Sequence, residues 1–347
     1  MGIDSPEMTK FNNAAPPPDF NNLSLPHGIK RINSWEIRER IPLNINNATP
    51  LDLPSSDKIT QYDQVKGDAR YIVEGNTLEE NTLGESAGMS EVFRAWDKRM
   101  GKYVVVKRMQ EWTSSYENSE NWIELEAKTI AKLNHPGIPE VYDFIVADTP
   151  DGHKTPVMIM QFIESKNLDS KIKFINDKSP LEPNQISKII YQTADTIDYM
   201  NSKGLFHSDI KPANIHLSEP HIKLIDFGVS NWVSGERTLE SLGFTAPEAR
   251  GDKGKRDNRS DEYSLAATTY TILFGEEPTD HVNDSFIKEF LSDSEKYSLE
   301  KYKLSRENEK KLKGILLKGL SYEPDERYQT STEFANALSK VLINSKT

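Results

Sequence analysis

The sequence predicts an α+β fold with two lobes: a small antiparallel β lobe that contains one helix, and a larger lobe that is mainly α-helical. Three observations support this prediction. Short segments rich in β-forming residues come first, between about residues 90 and 165. One helical pattern lies among them, and nearly all later patterns are helical. Elements that are segregated along a chain in this way are typical of α+β proteins.

The predicted β lobe has three strands and one helix. The strands are expected at residues 92–95, 103–106 and 157–163. A turn at Met100-Gly101 separates the first two strands. Residues 120–134 predict the helix, because apolar side chains recur on one face at Ile123, Ala127 and Ile130.

The predicted larger lobe contains helices at residues 183–203, at residues 261–274 and at the C-terminal end, with a strand at 222–225. Gly204 and Gly275 are expected to end the first two helices, since glycine readily adopts the left-handed conformation of a helix C-terminus. Thr330 and Glu333 have the spacing of a capping box and predict the start of the last helix.

The N-terminal part of the chain differs from the rest. Residues 1–75 are rich in Asn and Pro, which leaves no room for long helices, so we expect an extension that is largely irregular or disordered. Its apolar residues between 29 and 45 indicate either docking on the folded domain or binding to a partner, and we favour docking. The folded domain is assigned to residues 76–347, with 76–163 as the smaller lobe and hinge and 164–347 as the larger lobe.

Composition excludes several classes of function. The 54 acidic and 43 basic residues give a net charge of −11, which argues against nucleic acid or an anionic membrane as the main partner. The sequence has no cysteine, and this excludes disulfides and thiol chemistry. It also lacks a signal peptide, a lipidation motif and any apolar run long enough to cross a bilayer, so we expect a cytoplasmic protein.

Glu126 is the first candidate functional residue. It lies within the apolar stripe of the predicted helix at 120–134, where an unpaired carboxylate would cost several kcal/mol. Lys107, at the end of the apolar strand 104–106, is the natural partner. The alternative is that the apolar stripe of this helix has a different phase.

Two further clusters carry candidate chemistry. The loop at 207–214 presents Asp209, Lys211 and Asn214, and a polar loop on a rigid scaffold is a common place for catalysis. Asp226 follows the predicted strand at 222–225 and could hold a cation at the rim of a cleft. Each motif alone is weak, and the loop by itself could be a solvated turn.

Together these motifs are specific. Lys107, Glu126, the 207–214 loop, Asp226-Phe227-Gly228 and Ala246-Pro247-Glu248 occur in the order and at the intervals of eukaryotic-like protein kinases. The chain therefore resembles a bacterial-type serine/threonine protein kinase from about residue 75 to its end. This resemblance implies a bilobal protein-kinase-like fold, ATP and Mg²⁺ (with Mn²⁺ as a possible substitute) as cofactors, and proteins phosphorylated on Ser or Thr as substrates.

The resemblance also assigns roles to the candidate residues. Lys107 would bind the ATP phosphates and Glu126 would position it, while Asn214 and Asp226 would hold the metal. Asp209 would orient the substrate hydroxyl and accept its proton, and Lys211 would stabilise the transferred phosphoryl group. The ATP-binding pocket would be lined by residues of the glycine-rich loop, the adenine site and the hinge: Gly84, Ser86, Gly88, Val92, Val105, Met160, Gln161, Ile163 and His216.

Three further family positions are structural. Glu248 and Arg327 would form an ion pair in the larger lobe, and Asp261 would anchor the 207–214 loop. His216 occupies a position that is normally apolar, and we expect it to be a neutral packing residue.

Two departures from the family pattern qualify this interpretation. The glycine-rich loop has only two glycines, and Gly84 lies one residue too far from Val92. Ser208 replaces the arginine that usually precedes the catalytic aspartate, so we expect activity that does not depend on phosphorylation of the activation segment. The alternatives to an active kinase are a pseudokinase that serves as a nucleotide-binding scaffold and, less favoured, a small-molecule kinase of related fold. The pattern predicts no oligomeric state.

Overall fold

The computed structural model describes residues 44–50, 70–73, 90–109, 120–148, 154–175, 181–227, 243–250, 257–278, 284–293 and 295–343. These residues form two lobes, a β lobe and a helical lobe, and the predicted α+β fold class is confirmed. Among the described helices, none has the length and apolarity required to cross a membrane.

The smaller lobe is one antiparallel sheet of six strands with a helix on one face. The strands are β1 (Asn44–Pro50), β2 (Tyr71–Val73), β3 (Ser90–Asp97), β4 (Lys102–Met109), β5 (Val141–Asp148) and β6 (Lys154–Gln161). Their order across the sheet is β1-β5-β6-β4-β3-β2. The first helix, α1 (Glu120–Ile130), packs against β4, β5 and β6.

The central strands place the candidate residues by their alternation. Lys107 on β4 lies opposite Val92 on β3 and Met158 on β6. Val105 and Lys107 are two positions apart and share a face of the sheet, because successive side chains of a strand point to opposite faces. Val104 and Val106 point to the other face, where they join a separate apolar cluster.

Both edge strands of the sheet lie before the predicted domain boundary at residue 75. β1 pairs with β5 at one edge, and β2 pairs with β3 at the other. Arg70, directly before β2, forms ion pairs with Asp97 at 2.8 Å and with Asp143 at 3.3 Å. The sheet thus includes strands from both sides of residue 75, and the remainder of the extension lies outside the described residues.

The larger lobe contains six described α-helices and a short hairpin. The helices are α2 (Leu168–Ile175), α3 (Pro183–Ser202), α4 (Asn258–Phe274), α5 (Asp284–Ser292), α6 (Arg306–Gly319) and α7 (Ser331–Ile343). The hairpin pairs β7 (Ile215–His216) with β8 (Lys223–Leu224). α4 lies at the centre, because residues 260–273 are all buried and the helix packs against α3, α6 and α7.

The predicted helix ends are confirmed where a local signal set them. Gly204, with φ of 72°, lies two residues after the end of α3, and Gly275, with φ of 80°, directly follows α4. Thr330 caps α7, since the amide of Glu333 donates to its hydroxyl at 3.1 Å. The Glu333 carboxylate, however, accepts from the amide of Gln329. Helix α1 ends at Ile130, earlier than predicted, because the amide of Leu133 bonds back to Ile130 in a tight final turn.

Candidate active site

Lys107 connects the two lobes. Its Nζ lies 2.8 Å from Oε1 of Glu126 on α1 and 3.2 Å from Oδ1 of Asp226, which follows β8 in the larger lobe. The predicted Lys107–Glu126 pair is therefore present, and the apolar stripe of α1 has the predicted phase. The contact with Asp226 was not predicted, because no local pattern relates residues 119 positions apart.

Burial and charge act in opposite directions in this cluster. Burial disfavours the ammonium of Lys107, but Glu126 and Asp226 outweigh it and raise the pKa of Lys107. The side chain of Asp226 is 48% exposed. Desolvation opposes its ionisation, yet the charge and hydrogen bond of Lys107 dominate and lower the pKa of Asp226. Lys107 is thus a permanent cation, and Asp226 is an ionised group open to the cleft.

The 207–214 loop brings three predicted residues together. Asn214 donates its amide Nδ2 to the backbone carbonyl and to Oδ2 of Asp209, both at 2.8 Å. The ammonium of Lys211 lies 3.0 Å from the same Oδ2. Pro212–Asn214 forms a 3-10 turn that fixes this geometry. Asp209 is therefore held at a defined position by two neighbours of its own loop.

The 207–214 loop is also anchored to helix α4 of the larger lobe. The carboxylate of Asp261 accepts the backbone amides of His207 and Ser208, each at 2.8 Å, as predicted for an anchoring residue. His207 is fully buried, and its Nε2 donates to the carbonyl of Ile225 at 3.1 Å, next to Asp226. Ser208 has φ of 67° and Asp226 has φ of 54°, so both lie in the left-handed region. This strain at the two positions is characteristic of functional sites.

Asn214 and Asp226 provide oxygen donors suited to a divalent cation. Ile225, one residue before Asp226, bonds through its amide to the carbonyl of Asn214 at 2.9 Å, which ties the two segments together. The amide nitrogen of Asn214 is committed to Asp209, and its Oδ1 is left as a possible ligand. Within the described ranges no group of three or more His, Asp or Glu could hold a metal. One carboxylate with one amide oxygen suits Mg²⁺, which usually completes its shell with phosphate and water.

The predicted nucleotide-pocket residues are placed in part. Val105 on β4 lies directly opposite Met160 on β6, and both are buried. The backbone amide of Gln161 donates to the carbonyl of Glu140 at 2.8 Å, and residues 162–163 leave the strand as the predicted hinge. Val92 is partly buried against the same core. Gly84, Ser86 and Gly88 lie outside the described residues.

His216 lies where the hairpin meets the segment after the hinge. Its Nδ1 donates to the carbonyl of Ser165 at 3.1 Å, and its backbone bridges to Asn167. Burial lowers the pKa of His216. These contacts agree with a neutral packing histidine and give it a defined partner that the sequence did not indicate.

Glu248 and Arg327 form the expected ion pair of the larger lobe. Nη1 and Nη2 of Arg327 donate to the two carboxylate oxygens of Glu248 at 2.8 and 2.7 Å. The side chain of Arg327 is fully buried, and that of Glu248 is 18% exposed. Although partial burial opposes ionisation, Arg327 lowers the pKa of Glu248.

Comparison with known proteins identifies the family. Residues 78–340 match the protein kinase domain family. The serine/threonine-protein kinase PknB of Mycolicibacterium smegmatis is 31% identical over 264 residues, which are 73% of this chain and 41% of that protein. The serine/threonine-protein kinase PknF of Mycobacterium tuberculosis is 29% identical, over 77% of this chain and 57% of its own length.

A solved structure gives the same fold. The crystal structure of the Mycobacterium tuberculosis PknI kinase domain superimposes with a TM-score of 0.57 at 23% identity, over 83% of this chain and 99% of that one. At this identity the likeness shows the fold alone. The chain spans about two fifths of the length of the PknB proteins that it matches. The resemblance to bacterial serine/threonine kinases is confirmed, and the chain belongs to the protein kinase family.

Proposed function

We propose that the protein is an ATP-dependent serine/threonine protein kinase that transfers the γ-phosphoryl group of ATP to hydroxyl groups of protein substrates. The observation that carries this proposal is the convergence of three residues: the Lys107 ammonium donates hydrogen bonds to the carboxylates of both Glu126 and Asp226. The names of the relatives PknB and PknF support the class of substrate.

The residues of the chain would divide the work by charge. The Lys107 ammonium, held by Glu126, would bind phosphate oxygens. Asp226 and Asn214 would hold Mg²⁺, and Mn²⁺ would suit the same oxygen donors. When bound, the metal supplies charge neutralisation at the phosphates.

Asp209 would orient the substrate hydroxyl and accept its proton. The bond from Asn214 and the nearby Lys211 ammonium fix the carboxylate in one place, and this reduces the entropy that must be lost before reaction. Lys211 would also stabilise negative charge on the transferred group.

A phosphotransfer assay with casein, together with intact-mass analysis of the enzyme itself, tests this proposal. We expect transfer by the wild type and a loss of at least a hundredfold in Asp209→Asn, which keeps the shape but not the base. Asp325→Asn serves as the matched control, because that side chain is 94% exposed in the same lobe. A wild type that is stabilised against heat by Mg-ATP but transfers no phosphate would instead support the nucleotide-binding scaffold.

We further propose that activity does not require a phosphorylated activation segment. Position 208 carries a serine, whose amide bonds to Asp261, and not a guanidinium that could pair with a phosphate. The candidate acceptors Ser230, Ser234 and Thr238 lie outside the described residues. Each alanine variant at these positions should keep a rate within about twofold of the wild type. Abolition by any one of them would contradict the proposal; Ser241 is excluded, because the family keeps a threonine there that touches the catalytic loop.

A further inference from the structure

Glu262 on α4 is a buried acid that the proposed reaction does not use. It follows Asp261 in the chain and is 0% exposed. In the described part of the chain, neither of its carboxylate oxygens has a hydrogen-bond partner. An ionised carboxylate in this position would cost several kcal/mol, so the native protein is expected to hold it as the neutral acid.

The surroundings of Glu262 come from several elements. A Cβ atom added at Gly319 on α6 would lie 3.2 Å from Oε1 of Glu262 and 3.3 Å from the ring of Phe334 on α7, so the carboxyl group lies where these helices meet α4. The charged groups that face it are Arg327, Lys318, Glu248 and Asp198, and it also influences the phenol of Tyr328. Burial is the main cause that raises the pKa of Glu262 well above its ordinary value.

Arg327 acts electrostatically on Glu262 but has no donor left for it. A guanidinium carries five N–H groups. Two go to Glu248, at 2.8 and 2.7 Å. The other three go to the carbonyls of Ser321 at 2.8 Å, Arg259 at 2.9 Å and Tyr322 at 3.0 Å. With all five donors committed, Glu262 can pair with Arg327 only by displacing another acceptor.

We propose that Glu262 is a second acid for Arg327: the native protein holds it protonated, and loss of that proton to solvent transfers donors of Arg327 from Glu248 to Glu262. Exposure favours this direction of exchange. Glu248 is 18% exposed and also accepts the hydroxyl of Ser260 at 2.8 Å, so water can replace Arg327 there. Glu262 is 0% exposed, so its negative charge would depend on a neighbouring cation, and Arg327 has the largest electrostatic effect on it.

The exchange would reach the active site through two neighbours. Glu248 belongs to the 3-10 turn Pro247–Ala249. Asp261, adjacent to Glu262, holds the backbone of His207 and Ser208. A proton in the core of the larger lobe is thus linked to this turn and to the 207–214 loop, which carries Asp209.

The first test compares unfolding by urea for the wild type and Glu262→Gln between pH 5 and 7. The pKa of Glu262 is raised in the folded protein, so its contribution is fully present below the ordinary pKa of 4.5 and is lost as pH rises through the folded value. Above pH 4.5 and below the folded pKa of Glu262, the folding equilibrium constant of the wild type should fall about tenfold for each unit that the pH rises, relative to the glutamine variant. Equal slopes for the two proteins would overturn the proposal. Glu295→Gln, at an exposed turn, should match the wild type at every pH.

The second test separates exchange from simple burial. In a Glu248→Gln background, Arg327 has lost its charged partner and can pair with Glu262. The free energy of unfolding of Glu248→Gln should then differ from that of the double variant Glu248→Gln/Glu262→Gln by an amount that does not depend on pH. A slope that persists there would contradict the exchange. If Glu248→Gln does not fold, infrared spectroscopy of the wild type and Glu262→Gln, which does not need this variant, still tests the protonation state of Glu262.

Infrared spectroscopy tests the protonation state without unfolding. At pH 5 the wild type should show a carbonyl band of a protonated carboxylic acid that Glu262→Gln lacks. Absence of this band would overturn the proposal regardless of the stability data.

Discussion

Lys107 and Glu126 form an ion pair at 2.8 Å in which both side chains are less than one tenth exposed. Neither charge has adequate access to water, so each depends on the other for compensation. The same ammonium also reaches Asp226 at 3.2 Å. The position of α1 relative to the sheet therefore decides how Lys107 is shared between the two acids.

Glu126→Gln should reduce kcat/KM for ATP about a hundredfold, which corresponds to about 2.7 kcal/mol. The neutral amide holds the ammonium more weakly, so Lys107 shifts towards Asp226 and occupies the group proposed to bind the metal. Steady-state kinetics at varied ATP measure the effect. Glu124→Gln is the matched control, because Glu124 lies on the same helix and its ion pair among the described residues is with Lys128, four residues further on. Equal losses in both variants would show that the helix, and not the buried pair, is responsible.

His207 should make the fold sensitive to acid. Burial lowers the pKa of His207 to about 4, whereas a histidine in the unfolded chain titrates near 6.5. The contribution of the neutral His207 imidazole to the free energy of unfolding is present above pH 6.5. It is lost as the pH falls towards 4, because only the unfolded chain binds the proton in that range. The equilibrium constant for unfolding of the wild type, relative to that of His207→Asn, should rise about tenfold for each unit that the pH falls in this range.

Urea titrations at pH 4.5 to 7 measure this dependence, and His221→Asn, at an exposed position, is the control. Comparison of variants at each pH cancels the other titrating groups, Glu262 included. A His207→Asn protein whose stability follows the wild type at every pH would show that the imidazole is protonated in the folded state.

Arg327→Lys should destabilise the larger lobe by about 3–5 kcal/mol, the typical cost of breaking a buried ion pair. Lysine has three donors without the planar fork, so it cannot satisfy both oxygens of Glu248 and three carbonyls. Denaturant unfolding gives the free energy directly. Arg259→Lys should cost no more than about 1 kcal/mol, because its partners Asp257 and Asp325 are 41% and 94% exposed. Similar costs for the two variants would contradict the central role assigned to Arg327.

Gly319→Ala should destabilise the protein by about 1–3 kcal/mol. The added Cβ would lie 2.7 Å from the Cβ of Ala266 on α4, which is closer than two carbon atoms can pack. Gly314→Ala on the same helix meets nothing within 4 Å and should stabilise the protein by about 0.5–1 kcal/mol. Thermal unfolding of the two variants measures both effects, and a neutral Gly319→Ala would show that α4 and α6 can separate at no cost.

The sequence predicts those parts of the site that depend on local pattern. Helical periodicity identifies Glu126 as a carboxylate on an apolar face, and the position of Lys107 at the end of an apolar strand identifies it as the partner. Contacts between distant segments have no such signal. The approach of Lys107 to Asp226 and the bond between His216 and Ser165 both follow from tertiary packing.

Glu262 shows the same limit in the core. The segment at 261–274 is predicted as a mostly apolar helix, but its residues give no indication of which face is buried. A helix surrounded on all sides has no polar face, so periodicity cannot distinguish a buried glutamate from an exposed one. Strand β5 and helices α5 and α6 were not predicted, because their apolar residues are interrupted by charged side chains.

Arg70 has a practical consequence for the choice of fragments. A recombinant piece that starts at residue 76 would omit β2 and the guanidinium that pairs with Asp97 and Asp143, two carboxylates that are 2% and 6% exposed. Without β2, β3 would become an exposed edge strand that could pair with the sheet of another molecule. A chain that starts just before Asn44 keeps both edge strands, β1 and β2, together with the ion pairs of Arg70, so the first codon of a shortened protein should be placed there.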